Sequence, residues 1–233
     1  MGKSVIVYDD ELASQIQEVW FEPSNWPNAS VAAHGGRGRT LFVTHNHQDW
    51  VIRHYYRGGM IRRILLDQYP WFGANRTRSF REWDLLWHLL GLRLPVPRPI
   101  AARFIRRGIM YTADLITVRI ADVQPLSGRL LDGELSPHVW QNTGMLIARF
   151  HAAGIDHADL NAHNIQIDRN DDMFLLDFDR GRVRPGPGGW MERNLKRLQR
   201  SLRKVSANSG AQFSDREWTW LLTGYRSGTP SRR

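Results

Sequence analysis

The sequence contains no cysteine. That absence excludes a disulfide framework, a thiolate metal site and a cysteine nucleophile. There is no apolar run long enough to span a bilayer, no internal repeat and no low-complexity tract. Residues 1–10 lack a secretory hydrophobic segment and include Asp9 and Asp10, which predicts a chain that is not exported and has a cytoplasmic address. Acidic residues are also in short supply. Asp and Glu number 23 against 32 Lys and Arg, a formal net charge of +9 carried mostly by arginine. Such a balance suits an anionic partner: nucleic acid, an acidic membrane, or a phosphorylated or carboxylated substrate.

What is present is ordinary globular material. The 233 residues, 42% hydrophobic and 24% charged, suffice for one large domain or a two-lobed one and argue against disorder. Ten tryptophans are unusual. Buried tryptophan is a large core element, and surface tryptophan favours a membrane interface; most of the ten are expected in the core.

Apolar spacing at Leu12, Ile16, Val19 and Trp20 predicts a helix over residues 11–21, broken by Pro23, Asn25 and Pro27. Residues 40–44 and 50–54 read as strands joined by the polar loop 45–49. His45 and His47 lie in that loop without an acidic or third ligand nearby, so no metal site is expected there. Ser79 and Glu82 form an S-x-x-E capping box, and Phe80, Trp83, Leu86, Trp87 and Leu90 continue as an apolar stripe to Gly91. Residues 94–99 are held extended by prolines, and strands follow over 100–105 and 110–120. Residues 121–133, with Pro125, Gly128 and Gly133, read as a linker between an N-terminal lobe, 1–120, and a C-terminal lobe, 134–233. In the second lobe Ser136-Pro137 opens a helix, residues 165–167 and 173–176 form short strands, and helices follow over 190–205 and 214–225, the latter with a second capping box, Ser214 and Glu217. Strands with one main helix, then mostly helices, give an α+β fold in two lobes.

The chemistry concentrates in His157-Ala158-Asp159-Leu160-Asn161-Ala162-His163-Asn164. This reads H-x-D-L-x-x-x-N, the catalytic-loop pattern of protein kinases, and Asp177-Phe178-Asp179 follows in the D-F-G position. Phosphoryl transfer asks a protein chiefly for positioning and charge neutralisation. Asp159 would take the proton of the attacking hydroxyl as general base. Asn164 and Asp177 would offer hard oxygen ligands to Mg²⁺ bridging the ATP phosphates. On the nucleotide side, Gly36 and Gly38 of Gly35-Gly36-Arg37-Gly38 precede the first central strand, where a phosphate-covering loop belongs; glycine there also suits a plain turn. The strand position of the kinase lysine is Arg53, which keeps the charge and changes the geometry. Glu82 is its candidate helix partner, with the capping box as the competing explanation.

Arg53-His54-Tyr55-Tyr56-Arg57-Gly58-Gly59, residues 94–103, Asp159-Leu160-Asn161-Ala162-His163-Asn164-Ile165 and Leu176-Asp177-Phe178-Asp179-Arg180 together resemble the Kdo (3-deoxy-D-manno-octulosonic acid) kinases. These belong to the lipopolysaccharide kinases of Gram-negative bacteria, which have a protein-kinase-like fold. The resemblance covers roughly residues 35–225. It implies ATP-dependent phosphorylation of the 4-hydroxyl of Kdo on Kdo–lipid A at the cytoplasmic face of the inner membrane, by a peripheral enzyme whose catalytic aspartate is Asp159. Arginine at position 53 and aspartate at 179, which depart from the protein-kinase pattern, both fit the resemblance. No A-P-E segment follows Asp179, so a protein substrate is not expected.

The acceptor is acidic, and Arg57, flanked by Gly58-Gly59, is the residue expected to contact it. Residues 190–205 carry Arg193, Lys196, Arg197, Arg200, Arg203 and Lys204 beside Leu195, Leu198 and Leu202. That is either a basic amphipathic helix for an anionic membrane or a surface helix packing its leucines on the core. The motifs specify ATP chemistry and leave the acceptor open, so a kinase of core heptose or of a small sugar is the first alternative. A non-catalytic basic module is the second. A nucleic-acid partner is not expected, since no aromatic-basic binding motif appears.

Overall fold

The computed structural model describes residues 2–13, 15–31, 40–56, 67–210 and 212–229. Gly36, Gly38 and Arg57 lie outside the described residues. The chain divides into two compact units, Met1–His88 with Pro97–Ile120, and Leu89–Val96 with Ala121–Arg233.

Among its described residues the first unit is an antiparallel sheet with one α-helix and short 3-10 turns. Its strands are β1 (Lys3–Tyr8), β2 (Ser30–Val31), β3 (Thr40–His45), β4 (Gln48–His54), β5 (Tyr69–Pro70), β6 (Pro99–Arg107) and β7 (Met110–Val118). They pair in the order β1-β6-β7-β4-β3-β2, with β5 on β7. The β3–β4 loop is shorter than expected. Asn46 and His47 both take positive φ, so a two-residue turn suffices and His45 pairs with Gln48. His45 is an aromatic core element, with ring centroids 4.5 Å from Trp20 and 4.6 Å from Trp50. Around them pack Leu41, Val43, Ile52, Ile100 and Ile116. All ten tryptophans are buried or half-buried.

The helix expected over residues 11–21 reduces to a 3-10 turn at Glu18–Phe21. Leu12 and Ala13 donate backbone N–H groups to the Asp9 carbonyl, closing a turn in place of a helix. Leu12, Ile16 and Trp20 still pack on the core, but Val19 is exposed, so the four residues share no helical face.

Helix α1 (Arg78–Gly91) starts one residue before Ser79. Ser79 is buried and donates its hydroxyl to the Arg103 carbonyl at 2.9 Å, so the expected capping box does not form. Burial of Phe80, Trp83, Leu85, Leu86 and Leu89 supplies the packing face instead.

The second unit contains β8 (Gln124–Pro125), α2 (Leu126–Asp132), α3 (Pro137–Ala152), β9 (Ile155–Asp156), β10 (Ile165–Ile167), β11 (Met173–Leu175), β12 (Arg182–Val183), α4 (Gly189–Ser209) and α5 (Asp215–Gly228). The expected linker 121–133 is structured here. Gln124 and Pro125 pair with β10, and α2 buries Leu126 and Leu130. Its glycines do not unfold it: Gly128 sits inside α2, and Gly133 at φ 154° ends it. The first part of the extended segment, through Val96, also belongs to this unit, where Pro95 accepts the Leu175 N–H at 3.0 Å and Arg93 accepts from Arg149 at 3.1 Å. Ser136 caps α3 with proline at its first position, and Ser214 and Glu217 close a capping box on α5, both as the sequence predicts.

Candidate active site

The loop between β9 and β10 carries His157, Asp159 and Asn164. Its shape is fixed by short-range bonds. Ala158 has φ 57°, and Asp159 accepts on its carbonyl from the side-chain amides of Asn161, at 2.9 Å, and Asn164, at 3.1 Å. Asn161 in turn accepts the backbone N–H groups of His163 and Asn164. An asparagine two residues past the aspartate thus ties the loop to itself.

Two helices hold the loop from outside. On the α2 side, the Ser127 N–H donates to the Ala162 carbonyl and the Ser127 hydroxyl meets His163 Nδ1 at 2.7 Å. On the α4 side, Asn194 Oδ1 accepts the His157 N–H at 3.1 Å and Ser201 Oγ accepts the Ala162 N–H at 3.1 Å. Asn194 also donates to Asp156, which Arg184 pairs at 2.8 Å. Burial pushes the Asp156 carboxyl up, but the bonds from Arg184, Asn194 and the Ala158 N–H outweigh it and bring its pKa below the usual range.

The β10–β11 hairpin then places the third acidic group. Leu176 donates its N–H to the Asn164 carbonyl at 2.9 Å, binding the end of the hairpin to the start of it. His157 Nε2 meets the Leu176 carbonyl at 2.8 Å, and its ring packs on Phe178 at 4.7 Å. Between these two residues Asp177 adopts φ 65°, a left-handed conformation that aspartate tolerates better than most residues. Asp159, Asn164 and Asp177 are therefore parts of one bonded loop-and-hairpin assembly. The Asp159 side chain is 47% exposed and accepts from Arg197 Nη1 of α4 at 2.9 Å. The sequence offered six basic residues on this helix, and its hydrophobic pattern alone does not rank them.

In the first unit, Arg53 on β4 pairs with Glu82 on α1. The capping reading of Glu82 fails and the ion-pair geometry holds. Glu82 is 1% exposed and also accepts from the Tyr55 hydroxyl at 2.6 Å, a partner absent from the sequence reading. One residue along β4, His54 lies between Asp114 at 2.6 Å and Asp67 at 3.1 Å. Burial opposes its charge, yet the bonds and charges of the two carboxylates prevail and raise its pKa. Arg103 closes the same network, donating to Asp114 at 2.8 Å and Glu22 at 3.0 Å.

A loop of H-x-D-L-x-x-x-N type bound to an aspartate-bearing hairpin in one unit, and a strand cation paired with a helix glutamate in the other, match the features expected of a kinase. Comparison with known proteins decides which kind. The sequence model of the lipopolysaccharide kinase (Kdo/WaaP) family matches residues 18–225. This chain belongs to that family. Two of its relatives, from Stenotrophomonas maltophilia (strain R551-3) and Xanthomonas oryzae pv. oryzae (strain PXO99A), are each named 3-deoxy-D-manno-octulosonic acid kinase. Each is 44% identical over 226 residues, spanning 96% of this chain and 90% of the relative. Among solved structures, WaaP in complex with acyl carrier protein is similar in fold, with a TM-score of 0.63 over 96% of this chain and 89% of that one, at 15% identity. The lipopolysaccharide kinase thus has a protein-kinase-like fold with a β-rich N-terminal part and a helical C-terminal part, as the sequence predicts. Membership of a kinase family makes ATP its implied co-substrate.

Of the expected site residues, the kinase's second unit brings together Asp159, Asn164 and Asp177, and its first unit pairs Arg53 with Glu82. Tyr55, Asn194, Arg197 and Ser201 complete these contacts. Among the described residues no group of three or more His, Asp or Glu gathers as a ready-made metal site, and no helix is long and apolar enough to cross a membrane.

Proposed function

We propose that this lipopolysaccharide kinase transfers the γ-phosphate of ATP to the 4-hydroxyl of Kdo in Kdo–lipid A during inner-core assembly. The observation that carries the reading is the 44% identity, over nearly the whole chain, to relatives named for that acceptor. The site chemistry supports it. Asp159 Oδ1 is taken by Arg197, which leaves Oδ2 to accept the hydroxyl proton as the oxygen attacks phosphorus. Arg53, held by Glu82 and Tyr55, would bind ATP phosphate bidentately. Gly36 and Gly38 would cover the phosphates, and Arg57 would meet the acidic acceptor.

The donor set suits Mg²⁺. The Asn164 amide nitrogen is committed to the Asp159 carbonyl, so its Oδ1 is left for a cation, and Asp177 adds a carboxylate. One or two such oxygens together with substrate phosphates are the usual Mg²⁺ environment. When bound there, the ion would neutralise charge on the ATP phosphates.

The proposed workplace is the inner face of the inner membrane, reached by peripheral contact. On α4 Leu198 and Leu202 are fully buried in the core and Leu195 is half-buried, while Arg193, Lys196, Arg200, Arg203 and Lys204 are exposed. Any contact by this helix is therefore electrostatic and involves no insertion of its apolar face. The exposed tip of the β6–β7 hairpin, Arg106, Arg107 and Ile109, offers a second contact of mixed basic and apolar character.

Mass spectrometry of Kdo–lipid A after incubation with the protein, ATP and Mg²⁺ tests the reaction. One added phosphate on Kdo, lost with Asp159→Ala, is expected. Phosphate on heptose and none on Kdo would move the acceptor along the core and refute the assignment.

A further inference from the structure

Phosphoryl transfer depends on positioning and on cations that stabilise charge on the transferring group. The loop of residues 157–164 holds no lysine or arginine. Its histidines are engaged elsewhere, His157 on the Leu176 carbonyl and His163 on Ser127. The cation at Asp159 comes instead from Arg197, thirty-eight residues downstream on α4, as Nη1 to Oδ1 at 2.9 Å.

An isolated ion pair with both side chains near half exposure would carry little meaning. This one sits in a register. Asn194, Arg197 and Ser201 are spaced three and four residues apart, so they lie along one edge of the helix. Each meets the loop at a successive point: Asn194 at the His157 N–H, Arg197 at the Asp159 carboxylate, and Ser201 at the Ala162 N–H. The helix is fixed by Trp190, Leu198 and Leu202 in the core. Arg197 therefore stands where the helix must put it. Its guanidinium carries five N–H donors, and Asp159 is its sole partner among the described residues.

We propose that Arg197 positions Asp159 and supplies the cation that the loop lacks, a role that rests on reading Asp159 as the base. Holding Oδ1 aims Oδ2 at the acceptor hydroxyl. During transfer the acceptor O–H proton passes to Oδ2, the acceptor oxygen bonds to the γ-phosphorus, and the β–γ bridging bond breaks to release ADP. Protonation neutralises Asp159, so its hold on the guanidinium weakens while the charge of the transferring group is spread over its equatorial oxygens and the bridging oxygen leaves with ADP. Arg197 stays cationic throughout and turns its donors to that charge.

The test is steady-state kinetics of phosphate transfer to Kdo–lipid A by wild type, Asp159→Asn, Arg197→Lys and Arg197→Ala. For Arg197→Ala, kcat should fall by about 10²- to 10³-fold, the scale for losing one preorganised donor to transition-state charge, with KM for ATP little changed. Arg197→Lys should retain part of the rate, since the charge survives and the fork does not. Added ethylguanidinium should restore Arg197→Ala saturably and leave Asp159→Asn dead, a response that a merely structural arginine would not give. If Asp159→Asn is dead while Arg197→Ala works at the wild-type rate, the role of Arg197 falls and the base stands. A slow Arg197→Ala with raised melting sensitivity and no rescue by ethylguanidinium would also overturn it. A wild type that transfers no phosphate, or an active Asp159→Asn, removes the base reading and this role with it.

Discussion

Glu82→Gln separates a structural ion pair from a catalytic one. The Glu82 carboxylate is 1% exposed and accepts from two donors, the Arg53 guanidinium and the Tyr55 hydroxyl. Glutamine keeps the shape, but only one of its two terminal atoms accepts. Either Arg53 faces an NH₂ group or Tyr55 does, and the charge of the pair is lost in both cases. Breaking a fully buried pair costs about 3–5 kcal/mol, because the surviving charge stays desolvated. Arg53 retains 24% of its side-chain exposure and can draw on water, so about 2–3 kcal/mol is expected. Urea denaturation at pH 7 of Glu82→Gln, Arg53→Leu and the double variant reads this directly. The double should cost about 2 kcal/mol less than the sum of the singles. In turnover, Glu82→Gln should raise KM for ATP by about tenfold, equivalent to 1.4 kcal/mol, and leave KM for the acceptor near its wild-type value. Additive singles of about 0.5 kcal/mol or less, within the range of ordinary surface changes, would refute the argument. So would a rise confined to KM for the acceptor.

Acid should weaken the second unit through His151. Burial lowers its pKa from 6.5 to about 4, so the unfolded chain binds the proton first as pH falls. Stability is full above pH 6.5 and should decline by roughly 3 kcal/mol by pH 4, a slope that His151→Gln should flatten in urea titrations. His54 acts in the opposite direction, since its pKa is raised between Asp114 and Asp67: its contribution is complete below pH 6.5 and lost as pH climbs through the raised value. His54→Asn should remove that alkaline loss from a melting-temperature profile. At the α3–α5 crossing, a Cβ on Gly224 would overlap the Gln141 carbonyl, so Gly224→Ala should cost about 1–3 kcal/mol despite better helix propensity, whereas Gly91→Ala on α1 meets open space and should be neutral or stabilising. Replacing Arg200, Arg203 and Lys204 together by glutamine should weaken cosedimentation with phosphatidylglycerol vesicles at low salt; unchanged binding would remove α4 from the membrane contact.

Features written in short stretches of sequence were legible, and those depending on distant partners were not. The same S-x-x-E pattern occurs at Ser79 and Ser214, with opposite outcomes. At Ser214, among the described residues, only Ser214 and Arg216 of the same helix end meet the Glu217 side chain, and the capping box closes. At Ser79 the sheet supplies the Arg103 carbonyl for the hydroxyl, and Arg53 and Tyr55 for Glu82, so tertiary contacts displace the cap. The lost helix at residues 11–21 has the same cause: Asp9 and the sheet satisfy a chain whose apolar spacing alone implied a helix.

The loop of residues 157–164 illustrates both sides. Asp159 and Asn164 are found from sequence because short-range bonds through Asn161 shape the loop, and eight residues record those bonds. Periodicity on α4 likewise separates a leucine stripe from a basic face. It cannot rank the basic residues, because all of them satisfy an amphipathic pattern equally. The ranking comes from polar residues that no hydrophobic pattern counts. Asn194 is buried on α4, bonded to Asp156 and to the His157 N–H, and Ser201 accepts the Ala162 N–H one edge-step beyond Arg197. A buried asparagine inside a basic helix was the available signal. It costs free energy unless partnered, so its presence in the leucine stripe implies a polar segment alongside, and the residue three positions on is the cation that segment will meet.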